Sequence, residues 1–213
     1  MRFQTSPKRK AKLAATARRL QLVSIAMRQI ATKGFEGLRF QEVAKQAGIN
    51  NATLSYHFST KEALIQGVVN HLTEELKKTR SDLSDAPMTA LQELRLEFDD
   101  LRKLLRAKPK LFIVLTELSL RALRDLTVNR IEKSRDGLWR DHLTGIIRRG
   151  MEQGVFRRGI HAEVIATTLM AQFKGLGYHA TLGKRNHREV DQAIAEVERQ
   201  VEHWLVCGST DAN

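Results

Sequence analysis

The stretch from Gly34 to Lys61, GFEGLRFQEVAKQAGINNATLSYHFSTK, gathers side chains suited to recognising a nucleic acid. The carboxamides of Asn and Gln can pair with adenine through two hydrogen bonds, and the methyl of Ala or Thr can touch the thymine methyl. These residue types lie where two short helices, Phe40 to Ala47 and Asn51 to Phe58, meet at a tight turn containing Gly48. Val43, Ala44 and Ala47 form the inner side of the first helix, and the small residues among them let the second helix cross closely. This is helix-turn-helix logic, in which the second helix can lie in the major groove.

Chemistry of other kinds lacks its residues. The 7 His include no HxxxH pair and no HExxH, and Cys207 stands alone. There is no phosphate-cradling Gly-rich loop with Lys, and no GxSxG. The chain is therefore expected not to be an enzyme and to need neither cofactor nor metal.

The surrounding elements read as helices throughout. From about Thr16 to Lys33, the apolar residues Leu20, Val23, Met27 and Ile30 fall three and four apart, on one helical face. Gly34 is the stop signal. Asn50 and Thr60 are placed to cap the helices that follow them. A longer helix fits Lys61 to Arg80, with Leu64, Val68, Leu72 and Leu76 four apart. The polar run Ser81–Pro87 reads as a junction. Beyond it, helices are expected over Met88–Ala107, from Pro109 through the apolar LFIVLTELSLRAL, over Leu126–Gln153 up to Gly154, over Ala162–Leu182 and over Glu189–Leu205. No stretch alternates as a strand would, so no sheet is expected.

Charge is distributed unevenly. Of 36 Lys/Arg and 24 Asp/Glu, residues 1–80 hold 15 and 5. The net charge of +12 is thus concentrated in the N-terminal third, where it can attract a polyanion. Residues 1–15 read as a basic arm, either touching DNA or merely solubilising. Arg18 and Arg19 face either phosphate or water. A hydrophobic content of 42% permits a core, no apolar run reaches the ~20 residues that span a bilayer, and a single cysteine suits a reducing compartment. A cytoplasmic protein is the expectation.

The helix-turn-helix stretch resembles the tetracycline-repressor (TetR) family of bacterial regulators. The resemblance is carried by Gly34-Phe35-Glu36, Val43-Ala44, Ala47-Gly48-Ile49, Thr53-Leu54, Tyr56-His57-Phe58 and Lys61-Glu62-Ala63-Leu64. It implies that Leu54 and Phe58 are core. It implies that Gln41, Asn51, Ala52, Thr53 and Ser55 face the groove and read bases. Tyr56 and His57 would contact phosphate, and so would Lys61 together with the amides that open its helix. The chain departs from the family at Leu38-Arg39-Phe40, where a hydroxyl cap is usual and Arg39 is left to supply the phosphate contact, and at Ser55, where Tyr is frequent.

The resemblance also implies a C-terminal helical domain that dimerises through its last two helices and binds a small effector. Val190, Ile194, Val197, Val201 and Trp204 recur three and four apart, and Phe173 and Leu176 lie near Gly175 and Gly177 on the preceding helix. This stripe faces either a partner helix or the chain's own core. An effector pocket is sought among Phe98, Phe112, Leu115, Trp139, His142, Leu143, Met170 and Phe173, residues equally suited to plain core. Glu117, in an apolar helix, needs a partner: a ligand or a neighbouring Arg.

The expected fold is all-α, with about nine helices. After the arm at 1–15 come a three-helix helix-turn-helix domain with its linking fourth helix (16–80) and a helical effector-binding and dimerisation domain (81–213). The expected function is sequence-specific transcriptional regulation by a homodimer. It would repress from a palindromic double-stranded operator until a small molecule, not identified by the sequence, releases it. The alternative is non-specific nucleic-acid binding without an effector.

Overall fold

In a computed structural model, residues 7–79, 88–182 and 187–206 are described. Among them are nine α-helices: α1 Pro7–Lys33, α2 Phe40–Gln46, α3 Asn51–His57, α4 Lys61–Thr79, α5 Ala90–Ala107, α6 Pro109–Ala122, α7 Leu126–Glu152, α8 Ala162–Thr181 and α9 His187–Leu205. A 3-10 turn, Phe35–Gly37, joins α1 to α2. No described helix is long and apolar enough to cross a membrane, and the described β pairing is one isolated bridge between Phe156 and Val206.

The chain divides into two compact units. The first is residues 1–75 with 117–131, and the second is 76–116 with 132–213. The sequence placed one boundary in Ser81–Pro87, a stretch outside the described residues. The end of α6 and the start of α7 belong instead with the N-terminal helices.

In the first unit, α1 starts at Pro7, so residues 7–15 of the basic arm are part of the first helix; residues 1–6 lie outside the described residues. Proline suits a first helical turn, and the Lys, Arg, Leu and Ala that follow are good helix formers. The buried face of α1 is also shifted from the expected one. Leu22, Val23, Ile25, Ala26, Gln29 and Ile30 are buried, whereas Leu20 is 47% exposed. Against this face pack the 3-10 turn and α2, and α2 packs on α3. Leu54 and Phe58 are fully buried, as implied for core residues.

In the second unit, α5, α8 and α9 pack on one another. Thr89 and Gln92 form a capping box at the start of α5, which satisfies two amides that open the helix. Phe98, Leu143, Ile146, Phe156, Leu169, Phe173, Ile194 and Val201 share one buried core. Three ion pairs lie along the antiparallel α5–α9 seam: Arg95–Glu202, Arg102–Glu198 and Arg106–Asp191.

Candidate nucleic-acid interface

The turn between α2 and α3 depends on Gly48, whose φ of 67° lies in the left-handed region that costs a residue with a side chain roughly 1–2 kcal/mol. Asn50 then opens α3: its Oδ1 accepts the Thr53 N–H at 2.8 Å. In a helix of only 7 residues, this cap satisfies one of the amides that internal hydrogen bonds leave open. Buried Leu54 turns the opposite face outward. Asn51, Ala52 and Ser55 are exposed, Thr53 is half-buried, and Tyr56 is 85% exposed. Tyr56 packs edge-on against His57, with ring centres 5.3 Å apart. Gln41 and Arg39 are exposed at the start of α2.

Arg39 leads α2 without a side-chain cap, as its residue type requires. The position is tied differently: Arg39 N–H donates to Gln29 Oε1, on α1, at 3.1 Å. Gln29 is 2% exposed. It escaped the sequence reading because a lone Gln in an apolar stripe carries no local signal.

Two arginines left open between phosphate and water both make contacts within the fold. Arg19 donates to the carbonyl of His57, and its guanidinium lies 4.1 Å from the centre of the Phe58 ring. It thus holds the C-terminal end of α3, whose last carbonyls lack helical partners. Arg18 reaches Gln21 at 2.8 Å and the Ala47 carbonyl at 3.5 Å.

At the start of α4, Thr60 Oγ1 accepts the Ala63 N–H at 3.1 Å, as expected of a cap. The amides of Lys61 and Glu62 come first in the helix, where no preceding turn can accept from them. Lys61 is half-buried, with its ammonium 5.4 Å from the centre of the Phe35 ring. The site therefore combines an exposed row of neutral hydrogen-bonding side chains on α3 with a flanking cation at a helix N-terminus, a pairing suited to base edges beside a phosphate.

The effector residues expected from the sequence separate into two sets. Glu117 is not with the others: it belongs to the first unit, where its Oε2 accepts the Phe35 N–H at 2.9 Å. The remainder lie in the second unit. Phe98, Leu143, Met170 and Phe173 are buried, Phe112 and Trp139 pack against them, and Leu115 is partly buried. The Phe173 ring centre lies 4.8 Å from that of Phe98 and 5.9 Å from that of Trp139. His142 Nε2 meets Glu97 Oε1 at 3.1 Å. A separate surface groove of about 530 Å³ is lined by Arg140, Asp141, Thr144, Arg148, Glu163, Val164, Thr167 and Thr168, none of them expected.

The expected pairing stripe also faces differently. Phe173, Ile194 and Val201 are buried in the chain's own core, and Leu176, Val190 and Val197 pack against it. The resolution is physical: a stripe long enough for a partner helix is equally long enough for α5. Trp204 alone of that set is surface-exposed, at 36%. Among the residues exposed or half-exposed along α8 and at its C-cap, Val164, Thr168, Ala171, Gly175, Tyr178 and Leu182 fall on one face.

Comparison with known proteins agrees with this arrangement. Residues 22–68 match the family model for bacterial regulatory proteins of the tetR family. Residues 90–206 match the model for the C-terminal part of BetI-type transcriptional repressors. The HTH-type transcriptional regulator RutR of Escherichia coli (strain K12) is 32% identical over 91 residues, 40% of this chain and 42% of that protein. The HTH-type transcriptional regulator BetI of Burkholderia mallei (strain NCTC 10229) is 31% identical over 88 residues, 39% of this chain and 45% of that protein. The chain thus spans less than half the length of these curated relatives. Among solved structures, a TetR-family regulator from Rhodococcus sp. superposes with a TM-score of 0.79 at 19% identity, covering 87% of this chain and 99% of that one. A transcriptional regulator from Saccharomonospora viridis, solved in complex with choline, gives 0.77 at 24% identity, covering 91% and 100%. With both units matched by the family's models and the fold shared along most of the chain, the protein belongs to the tetR family of bacterial transcriptional regulators.

Proposed function

We propose that the protein is a homodimeric repressor that binds a palindromic operator through α3 and leaves it when a small molecule binds the second unit. The observation that carries this reading is the outward face of α3. Asn51, Ala52 and Ser55 stand exposed on a helix anchored from behind by fully buried Leu54 and by Phe58 just past its end. Simple cations would suffice for indiscriminate binding, whereas uncharged hydrogen-bonding groups at these positions suit base edges.

The test is selection from a random duplex library with the full chain. The expected product is an inverted repeat whose half-sites are about one helical turn apart, roughly 34 Å. Equal affinity for random DNA would refute sequence-specific regulation and favour non-specific binding.

Dimerisation through α8 is supported by its outward stripe. Val164, Thr168, Ala171, Gly175, Tyr178 and Leu182 repeat at alternating steps of four and three, the spacing of a packed helix seam. The small residues in its centre permit close approach, and a Cβ added at Gly175 would meet nothing within 4 Å.

For the effector we propose an organic cation. Phe98, Trp139 and Phe173 form one aromatic cluster, and Glu97, next to Phe98 on α5, brings a carboxylate that meets His142 Nε2. Aromatic faces attract organic cations. The choline bound by the Saccharomonospora viridis neighbour makes choline the first probe. It should raise the melting temperature and release the selected duplex; a neutral isostere of choline acting equally well would remove the charge argument.

A further inference from the structure

The turn between α1 and α2 is held from outside the helix-turn-helix by a corner formed from the end of α6 and the start of α7, all within the first unit. Two contacts reach the turn. Glu117 Oε2 accepts the Phe35 N–H at 2.9 Å. Arg121, one helical turn on, donates through Nη1 to Glu36 Oε1 at 2.7 Å, and its guanidinium carbon lies 5.0 Å from the centre of the Phe35 ring. Glu36 is largely exposed, so its ion pair is the weaker tie. The bond from a backbone amide to the Glu117 carboxylate is charge-assisted and is the stronger.

The corner is itself braced. Arg121 Nε and Nη2 donate to Asp125 Oδ2 at 3.2 and 3.1 Å. Asp125 Oδ1 accepts the N–H groups of Thr127 and Val128 at 3.0 and 3.2 Å, capping α7. The Val128 amide, first among these partners, holds the Asp125 carboxyl below its ordinary range. Asn129 Nδ2 donates to the Ala122 carbonyl at 3.0 Å. Arg121 is thus presented to the turn in a fixed pose. Gly34 completes the fit: its φ of 71° is open to glycine, and a Cβ there would stand 3.3 Å from Glu117 Oε2.

What the corner grips is the residue that also carries Lys61. The Phe35 side chain is 4% exposed, and the Lys61 ammonium lies 5.4 Å over the same ring. Phe35 therefore connects the end of α6 to the cation at the start of α4.

We infer that Glu117 and Arg121 are positioning residues for DNA binding: by fixing Phe35 they fix the Lys61 ammonium where a phosphate would meet it. This rests on the reading of Lys61 as a phosphate contact. A stitch with only a structural role would cost stability without any special relationship to Lys61.

The experiment is a double-mutant cycle on the full chain. Affinity for the duplex recovered by random-library selection is measured over a salt series, with thermal melting alongside. Lys61→Ala should weaken binding and reduce the salt slope by about one. Glu117→Ala should weaken binding about tenfold, but less than about twofold when Lys61 is already Ala, because the two act through one path. Glu117→Gln, which keeps an oxygen for the Phe35 amide, should restore most of the affinity. Arg121→Met, which keeps the aliphatic stem, should show the same non-additivity on a smaller scale and serves if Glu117→Ala does not fold. Losses that multiply independently overturn the positioning role. An unchanged slope and affinity in Lys61→Ala alone overturn the phosphate contact beneath it, which separates the two failures.

Discussion

Gln29 and Arg39 are joined across the α1–α2 turn: the buried carboxamide oxygen of Gln29 accepts the backbone N–H of Arg39 at 3.1 Å. The same side chain leaves its Nε2 without a hydrogen-bond partner. Removing Gln29 therefore has two opposed effects. Gln29→Leu loses the acceptor but also removes a buried donor that has no partner, and should destabilise by about 1 kcal/mol. Gln29→Ala adds a cavity and should cost about 2–3 kcal/mol. Urea denaturation measures both; a Leu variant as stable as the parent would show that removing the unpartnered Nε2 offsets the whole loss of the Arg39 acceptor.

Asn50 and Asn51 are neighbours with different tasks, and mutation should separate them. Asn50 accepts the Thr53 N–H, so Asn50→Ala should lower stability by about 1 kcal/mol. Asn51 is exposed and outside that cap. Asn51→Ala should leave the melting temperature unchanged and reduce discrimination against one mutated base pair of the selected site by about 1–3 kcal/mol. Gel-shift titration of matched and mutated duplexes reads the difference.

Acid should loosen the α5–α9 seam. The hydrogen bond from Arg95 is the foremost cause that holds the Glu202 carboxyl below its usual range. A depressed carboxylate stabilises the fold above its unfolded pKa, about 4.3, and that contribution is lost as pH falls through the folded value. Glu202→Gln should therefore narrow the fall in melting temperature between pH 6 and acid conditions, while costing stability at neutral pH. A variant with the parent's acid slope would show that Glu202 does not contribute to it.

The outward stripe of α8 can be tested apart from the core beneath it. Gly175→Arg introduces a large cation where a Cβ meets no other atom within 4 Å, so the folded chain should tolerate it. Sedimentation velocity should then report a monomer with an unchanged helical spectrum. A persistent dimer would move the interface elsewhere.

The helices themselves were nearly all legible, because their punctuation is local. Gly34, Gly48 and Gly154 mark stops, Pro109 marks a start, and Asn50 and Thr60 make the caps expected of them. The start of α1 was not, because residues 7–15 form a helix with little apolar pattern and rest on intrinsic propensity. Which side of an apolar stripe meets which neighbour was also hidden. The α9 stripe reads alike whether it packs on a partner or on α5, and only the fold assigns Ile194 and Val201 to the chain's own core. Glu117 was the furthest from view. Its need for a partner could be read, but the partner is an amide 82 positions away, beyond any helical spacing.

That last contact bears on modularity. Because 117–131 belongs with the N-terminal helices, the DNA-reading half is not a cassette that ends with its fourth helix. A graft of residues 1–80 onto a foreign sensor would carry the recognition helix intact, yet leave the Phe35 amide without Glu117 and Glu36 without Arg121. Working chimaeras should need the α6–α7 corner to travel with its reader, and a chimaera that lacks it should bind its duplex more weakly than one that keeps it.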